Sequence, residues 1–472
     1  MKSTFEKAQK IIEKTNKVIA EKSKTNLALD VEGVCDVLDD GEKLVYLTNE
    51  GKTVDSIVIG NVTYTPPVKS ESPYLFSDKD TVLKLISAPS DPSDADLYVH
   101  LLEYHRRISD LPNELYYDLL VLWDFHTHII DKLHFSPILY LFAVKERGKS
   151  RTGKGCLYVS RRGVFTETVR EPDIIRWGND HKAALGFDVK NFPKKIERAN
   201  CDDLILARYE RGSSSSRTLW PERGPFRDTK SFKLFGPTIV MTNRPVDDII
   251  ESRAISIDMK PSARVFNDPV LPEDALDLKA KLTGFRFRHK DTKLKKIDKP
   301  LPGRLGDIMS PLHQIVHTFF PEKTDTFNSL LTLISQKKQD EATDSFEAQV
   351  VEAVIASEPQ VSDGFLAVEI VTNAFNEGKN DPRFVVRKDI IGRILKGLGF
   401  TSKRSTGGKS VIYYDPELIK SIATQYGLAS TYNSGSLGSL PSSELANDEA
   451  KLKEPTVSEQ DKFLDEMETE EL

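Results

Sequence analysis

Gly148, Lys149 and Ser150 together supply what a triphosphate site needs. The glycine lets the backbone N–H groups approach phosphate oxygens, the ammonium reaches the β and γ phosphates, and the hydroxyl holds magnesium. Arg147 and Arg151 flank the triplet and add positive charge. The chemistry also requires a strand before the triplet and a helix after it, and the apolar run PILYLFAV at 137–144 reads as a buried strand. Two registers overlap: Ala143-x4-Gly148-Lys149-Ser150 and Gly148-x4-Gly153-Lys154-Gly155. Only the first has a hydroxyl after its lysine and stands directly behind the strand, so Lys149 and Ser150 are the expected pair. Val144, Lys145, Glu146 and Arg147 are larger than the residues such a loop prefers, and Glu146 sets a negative charge near anions. The alternative reading of the stretch is a solvated basic turn.

The segments beyond this loop alternate as an α/β nucleotide-binding core requires. GVFTETV at 163–169 reads as a strand and 171–180 as a short helix. AALGFD at 183–188 is a strand ending in Asp188, a carboxylate suited to hold magnesium, or else a cap for the helix expected over 193–208. A polar stretch follows, then GPTIVMT at 236–242, which ends at Asn243. A helix at 246–252 leads through Arg253 into a last strand at 254–259. Asn243 could instead begin a turn with Arg244-Pro245, and Arg253 could be a surface arginine.

Length and composition bound the remainder. The 472 residues suggest two or three domains, and the three cysteines have no metal-like spacing. His126 and His128 lie two apart on a helix, which favours packing over metal binding. The N-terminus lacks an apolar signal core and no run is long and apolar enough to span a membrane, so a reduced, cytoplasmic protein is expected. The net charge of −6 includes a tail from Glu444 to Leu472 with eleven acids and three lysines, which leaves the rest near +2. Overall acidity therefore does not argue against a nucleic-acid partner.

In order, SPILYLFAVKERGKS, LGFD, FGPTIVMTN and ESRAISIDM resemble the ATPase domain of plasmid and phage replication proteins related to superfamily-three helicases, over about residues 95–320. That resemblance implies that Lys149 and Ser150 bind ATP, that Ser150 and Asp188 hold Mg2+, and that Asn243 senses the γ-phosphate. It also implies that Arg253 reaches a neighbouring subunit's nucleotide in a homo-oligomer such as a ring. The family usually places an acid after the aspartate to orient the attacking water, but here Val189 stands there. Glu167, at the end of the neighbouring strand, is the candidate substitute, with a surface carboxylate as its alternative.

The implied fold is an α/β P-loop NTPase core, a mainly parallel sheet flanked by helices, between an N-terminal accessory region and a C-terminal winged-helix domain. Its expected parts are a helix and small β module (1–93), a helical lead-in (94–134), the ATPase core (135–262), and a helical lid with a basic linker (263–335), in which Arg304 could approach nucleotide. A linker around 335–344, the winged helix (345–428) and a disordered acidic tail (429–472) complete the chain. In the winged helix, three helices precede TSKRSTGGKSVIYYD, a hairpin with Gly407-Gly408 as the wing. Arg383, Arg387, Lys388, Arg393, Lys396, Lys403, Arg404 and Lys409 face a single acid, Asp389, a balance that favours DNA phosphates over a protein partner. The expected function is a DNA-associated, helicase-like ATPase in replication of a mobile element. Its rival is a nucleotide-gated DNA-binding regulator or segregation factor that does not unwind DNA.

Overall fold

The structure, a computed structural model, describes residues 24–88, 93–144, 146–244, 248–262, 264–343, 345–378, 385–405 and 408–428. The expected N-terminal helix (apart from its last residues), Lys145, Arg383, Gly407 and the acidic tail lie outside them. The chain divides into two compact units, Met1–Lys337 and Lys338–Leu472.

The first unit opens with strands β1 (Lys24–Leu27), β2 (Val34–Asp39), β3 (Leu44–Thr48), β4 (Thr53–Val54), β5 (Ile57–Ile59), β6 (Val62–Thr65) and β7 (Ser77–Asp78). They form two small sheets, ordered β1-β6-β5 and β4-β3-β2-β7, where the sequence suggests one module. Helix α1 (Lys79–Ser87) follows, then α2 (Asp94–Ile108), started by a Ser93–Asp96 capping box, and α3 (Leu115–His128). Every residue of α3 from Tyr116 to His128 is buried, including His126 and His128. A helix enclosed on all sides has no polar face, so the two histidines are packed.

The core is one parallel sheet of β8 (Ile138–Phe142), β9 (Gly163–Thr166), β10 (Ala184–Asp188), β13 (Thr238–Thr242) and β14 (Ala254–Asp258), in the order β14-β8-β13-β10-β9. Side chains alternate across it. Leu139, Leu141, Ile239, Met241 and Ile257 enter one apolar core, while Ile138, Tyr140, Leu185, Phe187 and Val240 enter the other. A parallel sheet covered on both faces needs such continuous apolar runs.

Helix α4 (Lys149–Val159) packs against four of these strands. Gly153 and Gly186 permit the fit: a Cβ on Gly153 would stand 2.1 Å from Met241 Sδ, and one on Gly186 would stand 2.1 Å from Leu157 Cδ1. Helix α5 (Glu171–Ile175) runs into a π turn, Arg176–Asp180. The single helix expected over 193–208 is two, α6 (Phe192–Arg198) and α7 (Asp202–Leu206), broken where Asn200 takes a φ of 49°. The polar stretch after them folds into an antiparallel hairpin, β11 (Ser215–Thr218) and β12 (Thr229–Phe232).

After α8 (Asp248–Glu251) and β14 come α9 (Leu276–Arg288), α10 (Gly303–Phe319) and α11 (Thr324–Thr343). One expectation is corrected: the linker placed around 335–344 is largely the end of α11. Arg286 is buried in α9. Arg286 donates to Cys35 O at 2.9 Å and pairs with Asp131 at 2.5 Å. Nearby, Arg161 and Arg162 each reach the buried Asp36 carboxylate at 3.3 Å. Burial alone would push that carboxyl up, but the guanidiniums hold it well below the usual carboxylate range. This network locks β2 to the sheet's helices, and removing one partner of such a buried pair costs about 3–5 kcal/mol.

The second unit has its own apolar core. It comprises α12 (Phe346–Ala356), β15 (Phe365–Ala367), α13 (Val368–Asn376), α14 (Lys388–Gly397), β16 (Ser402–Arg404), β17 (Ser410–Tyr413) and α15 (Pro416–Gln425). Its antiparallel sheet has the order β15-β17-β16. The second helix expected from Phe365 thus begins as a strand, and becomes helical only at Val368.

Candidate nucleotide site

The site lies at the C-terminal edge of the parallel sheet. Gly148 takes a left-handed φ of 79° and ends the loop after β8, and α4 starts at Lys149. Lys149 and Ser150 therefore occupy the first two helical positions. The helix N-terminus carries no side-chain cap and no acid in its first turn, so its open N–H groups and positive dipole end are unopposed. Glu146 also holds a positive φ, 63°, a conformation that costs a non-glycine residue about 1 kcal/mol.

Asn243 follows β13, the strand beside β8. Its Oδ1 is buried without a hydrogen-bond partner among the described residues. An unmet buried acceptor is costly enough to need a reason, and a ligand hydroxyl or water at this edge would supply one. Asp188 ends β10, one strand further out, level with Met241 and Leu141. Its Cα is therefore about 10 Å from β8, at roughly 4.8 Å per strand. Asp188 does not cap the next helix, because α6 begins at Phe192 behind Asn191. No described residue gives Lys149, Ser150 or Asp188 a side-chain hydrogen bond or ion pair. Three expected contributors thus share one edge, with nothing among the described residues satisfying them.

Other expected residues stand elsewhere. Arg151 turns away from the loop: it donates to Ile108 O at 2.7 Å and to Asp268 O at 2.5 Å, and lies over the Phe266 ring. Arg147 is half-buried in the loop before the helix. Lys154 sits in the second turn with its ammonium 4.6 Å from the Phe165 ring centroid, so the second register puts its lysine beyond the helix start. Glu167 is exposed just past β9, beside Asp188 but about 14 Å, or three strand spacings, from β8. Val189, where an acid was expected, is buried in the core. Asp258, at the end of β14, is occupied by Lys337 at 2.7 Å.

Arg253 precedes β14 at the N-terminal edge, about 16 Å from the phosphate edge along five residues of strand. Its Nη1 donates to Ile249 O at 2.7 Å and the guanidinium lies 5.8 Å from the Tyr209 ring centroid. At that remove it cannot serve its own loop. Arg304, which the lid could have brought to nucleotide, donates instead to Ser252 Oγ at 2.9 Å, beside Arg253.

The hairpin β11–β12 escaped sequence reasoning. Its tip holds Phe226, fully exposed at a φ of 70°, and Arg223 stacked 4.4 Å from the Trp220 ring centroid. Arg227 and Lys230 are exposed beside them. A Trp, Arg, Phe, Arg series on a projecting two-stranded arm, rather than any apolar alternation, was the available signal. In the second unit Arg387, Arg393, Lys396, Lys403, Arg404 and Lys409 are exposed and Lys388 is half-buried. Asp389 pairs with Arg387 at 3.0 Å, and the Lys403 ammonium lies over the Phe365 ring at 3.6 Å.

No protein-family model matches the sequence, and no curated protein matches it. Solved structures that match include the active-helicase structure of SCCmec type IV Cch, at 13% identity and a TM-score of 0.33, covering 86% of this chain and 80% of that one. Another is the apo C-terminal region of NrS-1, at 13% identity and a TM-score of 0.30, covering 80% of this chain and 96% of that one. With superpositions this loose, the functional reading rests on the residues of the site.

Proposed function

We propose that the chain is a Mg2+-dependent ATP-binding protein of the P-loop class that hydrolyses ATP slowly and acts on DNA in a helicase-like manner. One observation carries this reading: Lys149 and Ser150 open an uncapped helix after β8, beside the orphaned Asn243 Oδ1, at the C-terminal edge where α/β sheets bind ligands. Lys149 neutralises the β and γ phosphates, and Ser150 and Asp188 would hold the magnesium ion. That ion, when bound, would offset the charge that develops as the γ-phosphoryl group departs. Asn243 accepts a hydrogen bond from a water at its Oδ1, and its amide N–H would donate to the γ-phosphate. Arg253, too far from its own loop, completes the site of a neighbouring copy in a homo-oligomer.

DNA is the proposed substrate. The hairpin tip sets the exposed Phe226 ring among Arg223, Arg227 and Lys230, the combination that stacks a base and tracks a single strand. In the second unit, the exposed cations of α14 and β16 fit duplex phosphates and the unit fits a winged helix, with α14 as the groove helix. Replication of a mobile element is the setting that the sequence resemblance implies.

A second reading is favoured by Val189. A buried valine in place of a water-orienting acid, with Glu167 three strands from β8, fits a nucleotide-gated DNA-binding regulator that turns over little ATP. An ATPase assay with and without single- and double-stranded DNA separates the two. Stimulation by single strands supports the motor; ATP-dependent DNA binding without turnover supports the regulator.

A further inference from the structure

At the other edge of the sheet, a cavity of about 220 Å3 opens at the root of the hairpin. Arg211 stands four residues before β11 and Lys233 directly after β12, so both ends of the hairpin meet there. Lys182, from the loop before β10, brings this set to three; the other two cations of the lining, Arg161 and Arg286, pair with Asp36 and Asp131. None of the three has a carboxylate within 4.0 Å among the described residues. Two acids line the cavity, but Asp131 is engaged by Arg286 at 2.5 Å, and Asp30 leans to Arg162 at 3.9 Å.

Arg211 is also fixed in place. Arg211 donates through Nε to Leu133 O and through Nη2 to Ile130 O, both at 2.6 Å, and stacks 4.8 Å from the Phe235 ring centroid. Its Nη1 is thereby left for a ligand. Lys182 is half-buried on a backbone with a φ of 51°, and its nearest acceptor is Lys233 O at 3.5 Å. Burial lowers its ammonium's pKa, the mark of a cation without adequate compensation. Asp30, Asp180 and Asp131 offset these charges only in part, and gathered like charges oppose folding, a cost that a bound anion would lower.

We infer that this cavity is a phosphate site, which takes a phosphodiester of the single strand engaged by the hairpin. The inference rests on the DNA-directed reading of that hairpin. Pockets for drug-sized ligands run to about 300–1,000 Å3, so this smaller space suits a phosphate with part of its sugar. Ile130 and Phe235 form its apolar wall.

The test uses the full chain carrying Lys149→Ala, which silences the nucleotide loop, and Lys403→Glu with Arg404→Glu, which weakens the second unit. Into this background Lys182→Gln and Lys233→Gln are placed singly and together, and matched thermal unfolding checks the fold. Inorganic pyrophosphate is titrated by calorimetry and a fluorescent oligothymidylate at several salt concentrations. The double variant is expected to bind pyrophosphate at least 10-fold more weakly. It should also lose about 0.7 from the salt slope for the oligonucleotide, the share of one phosphate contact on a single strand. Each single variant should show part of both losses. A pyrophosphate loss with an unchanged oligonucleotide slope would overturn the strand and assign the site to a free phosphate compound. Unchanged binding of both probes would overturn the site altogether. A separate ATP titration of chains with Lys149 intact keeps the nucleotide reading distinguishable: if ATP fails to bind while the losses above occur, only that reading falls.

Discussion

The two ends of helix α4 are treated in opposite ways. At its C-terminus the carbonyls of Cys156, Tyr158, Val159 and Ser160 all have donors. Ser160 caps Cys156 O through its N–H and hydroxyl, His128 Nε2 meets Val159 O at 2.9 Å, and Lys279 donates to Tyr158 O and Ser160 O. A buried ammonium there complements the negative end of the helix dipole. At its N-terminus there is no cap and no acid, and Lys149 and Ser150 have no protein partner among the described residues. One end is closed by the fold, and the other has no side-chain partner among the described residues. Charge alone is a poorer guide to function, since the densest charge, around Asp36, is paired by Arg161 and Arg162 within the fold.

The contrast can be broken at either end. The largest effect is expected from Arg253→Ala, which should leave ATP binding intact while cutting hydrolysis by about 10³-fold, the contribution of an arginine supplied across an interface. Mixing it with Lys149→Ala protein should restore part of the activity. No recovery in mixtures shown to co-assemble would make Arg253 structural.

At the closed end, burial pushes His128, and His126 in the same helix, down to about 3. The unfolded chain takes up these protons as pH falls through about 6.5 and the folded chain does not, so stability falls with pH across that window. The slope is about 1.4 kcal/mol per pH unit for each histidine. Urea unfolding at pH 6.5 and 5.5 should differ by about 2 kcal/mol, and equal midpoints would contradict the buried neutral state of the pair. Lys279→Met should cost about 2 kcal/mol by leaving carbonyls of α4 unmet, yet leave ATP affinity within twofold. A large loss of ATP affinity in folded Lys279→Met protein would show that the two ends are not independent.

The core strands were legible because each is a short apolar run closed by a polar residue, as in LGFD and TIVMTN. The start of α4 was legible because only one register pairs a lysine with a hydroxyl. The hairpin was not, since SSRT and TKSF bury almost nothing and alternate weakly. The end of α11 was hidden for the opposite reason: SQKKQDEAT is polar enough to pass for a linker, although most of its residues favour helix. The orientations of Arg151 and Arg304 depend on Ile108, Asp268 and Ser252, partners remote in sequence that no local pattern reveals.

The most direct test of the open helix end is an ATP titration of the intact chain, Lys149→Ala and Lys154→Ala in the presence of Mg2+. Lys149→Ala should bind at least ~100-fold more weakly, because the triphosphate loses its one ammonium at the helix start, while Lys154→Ala should match the intact chain. Retained binding by Lys149→Ala, together with loss in Lys154→Ala, would contradict the assignment of this helix end as the nucleotide site.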